Sequence, residues 1–280
     1  MSADRSLARS ALYVPGDAPD KLARALERGA DELIVDLEDA VPPARKDDAR
    51  RTVRTWLHDL PVLGGVGVWV RVNPGARREA DVRAVAGAPA LTGLVVAKAE
   101  TPAELHELDR LLSDLGSTAG LVPLLESAAA VFNARELAAC ARVRRLQVGE
   151  ADLRADTGIT PGPDEHELLH VRSQVVLASA AAGIAPPIAP VSTNVRDLDA
   201  FRSSTEAMAR LGFVGRACIH PDQVAVANEV YTPTSEAVAA ARELVARFEG
   251  ATSGVVVDAA GHLVDEAVVR QARLVLARAR

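Results

Sequence analysis

Short apolar runs alternate with longer amphipathic stretches along most of the chain, and this alternation limits the possible folds more than any other feature. Each run has at most seven residues and is rich in Val, Ile or Leu. Such runs are typical of strands that are buried on both faces of a sheet. The eight runs are Ala11–Pro15, Glu32–Glu38, Gly67–Asn73, Gly93–Ala99, Gly120–Glu126, Arg145–Glu150, Ile188–Thr193 and Arg216–Pro221.

The stretches between these runs place their apolar residues at helical spacing, and several have start and stop signals at their ends. The predicted helices are Asp20–Arg28, Ala44–Leu60, Pro102–Leu115, Ala128–Ala141, Asp164–Ala182 and Asp197–Leu211. The predicted N-caps are Asp20, Thr101 and Asp197, and the predicted terminating glycines are Gly29, Gly116, Gly183 and Gly212.

The eight predicted strands recur about every 29 residues, which is close to the length of one βα unit. No G-x-G-x-x-G turn follows the first strand, so an open dinucleotide-binding sheet is disfavoured. We therefore predict a TIM (β/α)8 barrel over residues 1–231. Residues 232–280 form a predicted helical extension, with helices at Ser235–Glu249 and Glu266–Ala279, that serves as a lid or an inter-subunit segment.

Composition excludes several classes of protein. No apolar run approaches the ~18–20 residues needed to span a bilayer, and residues 1–6 lack a signal-like apolar stretch, so we expect a cytoplasmic protein. The net charge is −6 and aromatic residues make up 3% of the chain, which disfavours nucleic-acid binding. Cys140 and Cys218 are interpreted as two buried thiols rather than as a disulfide or metal pair.

Charged and polar residues follow nearly every apolar run. In a barrel, catalytic groups emerge at the C-terminal ends of the strands, so these side chains are predicted to converge on one mouth. They are Asp36, Glu38, Asp39, Arg71, Asn73, Lys98, Glu100, Glu126, Glu150, Asp152, Thr193, Asn194 and His220.

The acidic members of this set have no Cys or His at zinc-like spacing. Oxygen ligands suit Mg²⁺, with Mn²⁺ as the alternative. Arg71 offers a forked donor for a substrate carboxylate or a developing enolate, and its other interpretation is an ion pair with Asp36 or Glu38. Lys98 has three interpretations: a structural ion pair, a substrate contact or a Schiff-base lysine.

Six motifs then carry a family resemblance. They are RSALYVPGD (9–17), DLEDAV (36–41), VRVN (70–73), PLLES (123–127), VGEADL (148–153) and CIHPDQV (218–224). In this order and spacing the chain resembles the citrate lyase β-subunit-like (HpcH/HpaI aldolase/citrate lyase) family over about residues 9–265.

The resemblance implies a Mg²⁺-dependent barrel enzyme, a homotrimer or hexamer, that cleaves citryl-, malyl- or citramalyl-type CoA thioesters to acetyl-CoA or a similar acyl-CoA and a 2-oxo acid. By position, the implied metal ligands are Glu126 and Asp152. The implied catalytic residues are Arg71, Glu38 and Asp265. The implied substrate-binding residues are Arg71, Glu38, Lys98, Gly149, Glu150 and Ala151. The implied CoA-binding residues are Arg9 and Lys21.

Some alternatives stay open at this point. Asp265 is also explained as a helix N-cap, Arg9 and Lys21 as solvated surface residues, and His220 as a structural histidine rather than a base. Ala189 and Asn194 replace acids that relatives often carry, which leaves the acyl group undetermined. The rival functions are a malate synthase or malyl-CoA thioesterase, a class II aldolase without CoA, and a non-catalytic thioester-binding subunit.

Overall fold

The computed structural model describes residues 7–61, 65–251, 255–257 and 261–279. Residues 1–6, which were interpreted as lacking a signal peptide, lie outside the described residues. Ala8–Asn228 form one compact unit, and Glu229–Arg280 belong to a second. The division of the chain after residue 231 stays a prediction.

Eight parallel strands form a closed barrel in sequential order, each hydrogen-bonded to its neighbours and the last to the first. This arrangement confirms the predicted TIM barrel and all eight predicted strands, although the sixth and seventh are short. The strands are β1 Ser10–Pro15, β2 Glu32–Asp36, β3 Gly67–Val72, β4 Leu91–Val96, β5 Gly120–Leu125, β6 Gln147–Val148, β7 Ile188–Ala189 and β8 Gly215–Cys218.

Helices follow the strands as crossover connections. They are α1 Pro19–Ala25, α2 Lys46–Asp59, α3 Arg78–Val85, α4 Pro102–Asp114, α5 Ala128–Phe132, α6 Ala134–Ala138, α7 Glu150–Thr157, α8 Leu169–Ala182, α9 Leu198–Leu211 and α10 Pro221–Tyr231. The sequence pattern did not predict α3, α7 or α10. The predicted helix 128–141 is two short helices, because the backbone leaves helical geometry at Asn133, whose side-chain amide donates to the Glu100 carbonyl.

Local capping explains several of the helix ends. Thr101 forms a capping box with Glu104 at the start of α4, and Asp197 accepts a hydrogen bond from the Ala200 N–H at the start of α9. Gly183 ends α8 in the left-handed conformation, which glycine adopts without steric cost. The prediction for Asp20 was wrong: Ala18 is the N-cap of α1, and Pro19 fixes the first helical position, so Asp20 lies in the first turn.

The barrel interior is filled with apolar side chains that include Ile34, Val95, Val122 and Ile188. Gly93 leaves room for the Trp69 indole, because a Cβ at this position would lie 2.4 Å from that ring. At the N-terminal end of the strands, Arg145 stacks over Trp69 at 5.1 Å and forms an ion pair with Glu32.

The C-terminal unit contains α11 Ser235–Glu249 and α12 Glu266–Arg278, which confirms both predicted helices. Two short antiparallel strands lie between them, β9 Val256–Val257 and β10 Leu263–Val264. Asp265 is the N-cap of α12 and accepts hydrogen bonds from the backbone N–H groups of Ala267 and Val268. Among the described residues, no helix has both the length and the apolar character needed to span a bilayer.

Candidate active site

A cavity of about 430 Å³ opens at the C-terminal ends of the barrel strands. Ionisable side chains and a helix N-terminus lie on its walls, and apolar side chains fill the spaces between them. The lining residues include Tyr13, Asp36, Asp39, Arg71, Leu124, Glu126, Gln147, Gly149, Glu150, Ala151, Asp152, Val191, Thr193 and Ile219. Most of the side chains predicted to converge on one mouth therefore do so.

Asp36 and Arg71 form a bidentate ion pair on the β2–β3 side of the cavity. The Arg71 Nε and Nη2 atoms donate to Asp36 at 2.8 and 2.5 Å, and both side chains are almost completely buried. Asp36 also accepts hydrogen bonds from the backbone N–H groups of Glu38 and Ala40. The ion-pair interpretation of Arg71 therefore applies. The guanidinium also lines the cavity, and its role as a donor to substrate stays a prediction.

Glu38 lies beside this pair. Its carboxylate is 3.0 Å from Arg71 Nη1 and 3.7 Å from Lys98 Nζ, and the Arg71 guanidinium also stacks over the Tyr13 ring at 5.2 Å. Burial raises the pKa of Glu38, and the Arg71 charge opposes this shift. The structure thus brings Glu38, Arg71 and Lys98 together, as predicted.

Lys46, which the sequence analysis did not single out, anchors the loop that carries Glu38. Its ammonium donates to the carbonyls of Leu37 and Glu38 at 2.9 and 2.6 Å. Asn73 also donates to the Leu37 carbonyl, and it is held in turn by the buried Asp81 carboxylate. The signal was available in the sequence, since Lys46 is one of three lysines and follows DLEDAV closely.

Glu126 occupies the opposite, β5–β6 side of the cavity. One carboxylate oxygen accepts a hydrogen bond from the Lys98 backbone N–H at 2.8 Å, and the side chain lies against Gly149. Among the described residues, no Lys, Arg or His side-chain nitrogen lies within 4.0 Å of this carboxylate, although the residue is buried and only 5% exposed. Burial raises the pKa of Glu126 to about 7, and the negative charge of Glu38 contributes to the shift.

Asp152 lies in the first turn of α7, next to Glu126. Its nearest cation is Lys98 Nζ at 3.9 Å, so the Lys98 ammonium lies between Asp152 and Glu38. Lys98 has a φ of 53°, a left-handed conformation that is unfavourable for a non-glycine residue. This conformation allows its backbone N–H to reach Glu126 while its side chain extends across the mouth.

Gly149, Glu150 and Ala151 form the start of α7 at the cavity wall. The first N–H groups of an α-helix have no partner inside the helix and favour anions. The Glu150 carboxylate is turned toward Arg172, which donates to both of its oxygens at 2.6 and 2.8 Å. Glu150 therefore presents backbone rather than charge to a bound molecule.

Glu126 and Asp152 fit a hard divalent cation in their chemistry. Their oxygens are the donors that Mg²⁺ prefers, and Mg²⁺ is commonly bound through one or two carboxylates with water or substrate completing the shell. Within the part of the chain that the structure describes, no group of three or more Asp, Glu, His or Cys side chains could hold a metal. Glu126 and Asp152 could therefore bind a metal ion only if water or substrate supplied the remaining ligands.

Comparison with known families and structures agrees with this architecture. Residues 9–221 match the family model described as HpcH/HpaI aldolase/citrate lyase. A citrate lyase subunit beta-like protein from Deinococcus radiodurans is 34% identical and covers 99% of both chains. The chain belongs to this family. Its relatives carry lyase names, and it is an enzyme of the lyase class.

Two further relatives have names or structures that describe ligands. The L-malyl-CoA/beta-methylmalyl-CoA lyase of Rhodobacter capsulatus is 31% identical over 98% of this chain and 95% of its own length. The crystal structure of the Mycobacterium tuberculosis protein CitE, in complex with magnesium, acetoacetate and coenzyme A, superposes with a TM-score of 0.81. It is 30% identical, and the match covers 98% of each chain.

Within this family fold, the two residues predicted to bind CoA have different positions. Arg9 directly precedes β1, so it lies at the N-terminal end of the strands, away from the cavity. It forms an ion pair with Asp31, which precedes β2. Lys21 is exposed in the first turn of α1, after the C-terminal end of β1. CoA binding by Arg9 and by Lys21 stays a prediction.

The strand-seven region contains no acid at the positions where relatives often have one. Ala189 is fully buried in β7, and Asn194 is exposed and accepts a hydrogen bond from the Arg196 N–H. His220 accepts a hydrogen bond from the Asp222 N–H at the start of α10, which agrees with its interpretation as a structural histidine. Cys140 and Cys218 are both buried and free, which confirms the interpretation as thiols.

Two residues at the cavity floor were missed. Gln147 Nε2 donates to the Tyr13 hydroxyl at 3.1 Å, and both side chains line the cavity. Gln147 is a polar residue inside the predicted apolar run Arg145–Glu150, and this exception to the pattern could have identified it. The pairing with Tyr13 could not have been read from a sequence separation of 134 residues.

Proposed function

We propose that this enzyme is a Mg²⁺-dependent carbon–carbon lyase that cleaves a hydroxy-carboxyl acyl-CoA thioester of the citryl-, malyl- or citramalyl-CoA type. The products are acetyl-CoA or a similar acyl-CoA and a 2-oxo acid. One observation carries the proposal: Glu126, with no side-chain cation within 4.0 Å among the described residues, and Asp152, with only Lys98 at 3.9 Å, face an arginine across a single cavity. The R. capsulatus relative named for malyl-CoA supports the substrate class.

Glu126 and Asp152 would hold the cation, with Mn²⁺ as the alternative to Mg²⁺. When bound there, Mg²⁺ supplies Lewis-acid polarisation of the substrate oxygen and a template for the adjacent carboxylate. The M. tuberculosis structure that contains magnesium, acetoacetate and coenzyme A supports this assignment. Lys98 fixes the orientation of Glu126 through its backbone N–H.

Arg71 supplies the fixed positive charge of the reaction. Cleavage of the carbon–carbon bond leaves negative charge on the thioester oxygen of the acyl-CoA product. A guanidinium already held by Asp36 and Glu38 needs no reorganisation to stabilise that charge, and preorganised electrostatic stabilisation of this kind often contributes more to catalysis than any other effect. Glu38, with its raised pKa, is placed to hold or transfer a proton beside Arg71.

The substrate carboxylate fits the start of α7. The backbone N–H groups of Glu150 and Ala151 offer neutral donors, whereas that of Gly149 donates to the Leu125 carbonyl. The Lys98 ammonium adds a positive charge. Arg172 withdraws the Glu150 carboxylate from this position, which removes a repulsive charge. Arg9 and Lys21 are the candidates for contact with the CoA phosphates, and Lys21 is the better placed of the two because Arg9 is paired with Asp31 at the other end of β1.

Asp265 is the proposed acid that protonates the carbon of the acyl-CoA product, delivered by the C-terminal segment of a second subunit in a trimer or hexamer. It is also an N-cap, so its two roles need separation. Asp265→Asn keeps the capping ability and removes the acid, whereas Asp265→Ala removes both. If Asp265 transfers a proton, both variants lose turnover; if it only caps α12, Asp265→Asn retains turnover.

The central experiment is an assay of citryl-, malyl- and citramalyl-CoA with Mg²⁺ and after its removal by EDTA. Glu126→Ala and Asp152→Ala should each abolish Mg²⁺-dependent release of acetyl-CoA. Glu150→Gln serves as a matched control, since this carboxylate faces Arg172 rather than the proposed metal position. Undiminished turnover in both alanine variants would contradict the proposal.

The same assay distinguishes the rival functions. Free thiol released from acetyl-CoA and glyoxylate would indicate a malate synthase or malyl-CoA thioesterase. Turnover that does not need the CoA nucleotide would indicate an aldolase acting on free hydroxy acids. Calorimetric binding of CoA esters without any Mg²⁺-dependent turnover would indicate a thioester-binding subunit.

A further inference from the structure

Two glutamines are buried in the barrel, and they differ in how completely they are hydrogen-bonded. Gln223 is fully satisfied: its Nε2 donates to the Ser192 carbonyl, and its Oε1 accepts from the N–H groups of Ile219 and His220. Gln147 donates through Nε2 to the Tyr13 hydroxyl at 3.1 Å. Its Oε1 is buried and has no hydrogen-bond partner among the described residues.

The position of Gln147 makes this unpaired oxygen unusual. The side chain is 1% exposed, yet it lines the floor of the cavity, directly above an interior formed by Ala11, Ile34 and Val122. An unpaired buried acceptor costs about 1–3 kcal/mol, and native proteins retain few of them. An apolar residue would fill this interior position without that cost, so the oxygen requires an explanation.

We propose that Tyr13 and Gln147 form a specificity subsite that binds a hydrogen-bonding substituent on the 2-oxo acid portion of the substrate. This inference rests on the proposed lyase function, and it adds which kind of substituent on the 2-oxo acid the enzyme selects. The Gln147 oxygen is the acceptor of the subsite, and the Tyr13 hydroxyl is its donor. Burial raises the pKa of Tyr13 to about 12, so the hydroxyl keeps its proton at neutral pH.

Two kinds of substituent satisfy this pair. A hydroxyl group would donate to Gln147 Oε1 and accept from Tyr13. A carboxylate would be bound after rotation of the Gln147 amide, which turns Nε2 toward the ligand and Oε1 toward the Tyr13 hydroxyl. A methyl group or a hydrogen atom would leave Gln147 Oε1 without a donor and the Tyr13 O–H without an acceptor, and such a mismatch is what a hydrogen-bonding pocket rejects most strongly.

The test is the condensation of acetyl-CoA with hydroxypyruvate, oxaloacetate or pyruvate in the presence of Mg²⁺. We expect wild-type enzyme to prefer at least one of the polar acids to pyruvate by about tenfold or more in kcat/KM, which corresponds to about one buried hydrogen bond. Hydroxypyruvate as the preferred acid would identify a hydroxyl subsite, and oxaloacetate a carboxylate subsite. Preference for pyruvate would overturn the inference.

Gln147→Met has about the same length and lacks both polar atoms, so it should reduce the preference about tenfold, mainly through KM. Tyr13→Phe removes only the hydroxyl and should shift the ratio in the same direction. Because the two variants differ in their effect on packing, the second keeps the test valid if the first does not fold. An unchanged ratio in both would overturn the inference.

Gln223→Met is the matched control, and thermal unfolding separates a structural role from a specificity role. Gln147→Met should not lower Tm, because the gain from removing an unpaired buried acceptor offsets the loss of the hydrogen bond to Tyr13. Gln223→Met should lower Tm, because it leaves the N–H groups of Ile219 and His220 unpaired, while the substrate ratio stays unchanged. A lower Tm for Gln147→Met without a change in ratio would show a structural role and contradict the subsite.

Failure of the proposed function gives a different result. If wild-type enzyme condenses none of the three acids, the lyase proposal fails and the subsite is tested by calorimetric titration with hydroxypyruvate, oxaloacetate and pyruvate in Mg²⁺ buffer. A tighter complex with a polar acid that Gln147→Met weakens about tenfold would support the subsite. Equal affinities in both proteins would contradict it.

Discussion

The two sides of the cavity hold similar numbers of acidic residues but differ in how closely those residues are paired with cations. On the β2–β3 side, Asp36 and Glu38 are both paired with Arg71, and the loop behind them is fixed by Lys46. On the β5–β6 side, Glu126 and Asp152 have no cation closer than Lys98, which is 3.9 Å from Asp152. The carboxylates on the β2–β3 side are therefore neutralised by a close cation, and those on the β5–β6 side are not.

This difference separates groups that the protein positions from groups that await a ligand. A buried carboxylate without a cation is unfavourable, which is why the pKa of Glu126 is raised. On the β2–β3 wall, Arg71 neutralises the carboxylates at close range. On the opposite wall, a divalent cation would neutralise Glu126 and Asp152. Stability and metal affinity test this contrast, from the largest expected effect to the smallest.

Arg71→Met should cause the largest loss of stability. It leaves Asp36 and Glu38 buried without their cation, which costs about 3–5 kcal/mol when one partner of a buried pair is removed. Urea unfolding of the metal-free protein measures this. Arg83→Met is the matched control, because its pair with Glu79 is on an exposed helix surface and should be worth less than about 1 kcal/mol. Equal losses in the two variants would contradict the contrast.

Glu126→Gln should instead stabilise the metal-free protein at neutral pH. Burial raises the Glu126 pKa from 4.5 to about 7, so the native state binds more protons than the unfolded chain between these values. The free energy of unfolding of the wild type therefore falls as pH rises through this window. The variant lacks this contribution, and its advantage should reach about 3 kcal/mol above pH 7.

Urea unfolding in EDTA at a series of pH values checks this prediction. The curves of wild type and Glu126→Gln should lie together near pH 4.5 and separate as the pH rises. If the two curves of unfolding free energy stay parallel at every pH, ionisation of Glu126 does not destabilise the native state. In that case the β5–β6 side would not be electrostatically incomplete.

Gly149→Ala should weaken Mg²⁺ binding. A Cβ at this position would lie 2.5 Å from Glu126 Cγ and 2.7 Å from its Oε1 atom, so the carboxylate must move. We expect a stability loss of about 1–3 kcal/mol from the overpacking. Calorimetric titration with Mg²⁺ measures the affinity. Gly87→Ala is the control, because no described atom lies within 4 Å of the added Cβ.

Lys98→Met should have the smallest effect on stability. Its side chain is 45% exposed, and its ammonium lies at least 3.7 Å from the Glu38 and Asp152 carboxylates. These ion pairs should therefore contribute at most about 1 kcal/mol. Lys98→Gly removes the same charge but also relieves the left-handed backbone, and it should be at least as stable as Lys98→Met. A large loss in Lys98→Met, measured by urea unfolding, would show that Lys98 unites the two sides of the cavity.

The sequence predicted the acids of the site because each directly follows a buried strand, and strand ends converge in any barrel. Arg9 is close in sequence to the mouth residues, yet it lies at the opposite end of β1. β1 has six residues, and at about 3.3 Å per residue it separates its two ends by about 20 Å. Motif proximity along a strand therefore does not mean proximity in the site. Gln147 and Tyr13 were missed because they are far apart in sequence and come together only when the barrel closes.

The sequence by itself determined the eight strands, most of the helix ends and the set of charged residues at the mouth. These follow from apolar periodicity and from capping, which depend on residues only a few positions apart. Only the tertiary structure decided that Arg71 is paired with Asp36, that Glu126 lacks a cation and that Gln147 Oε1 is unpaired. These properties depend on burial and on distances between strands, which exist only after the barrel closes.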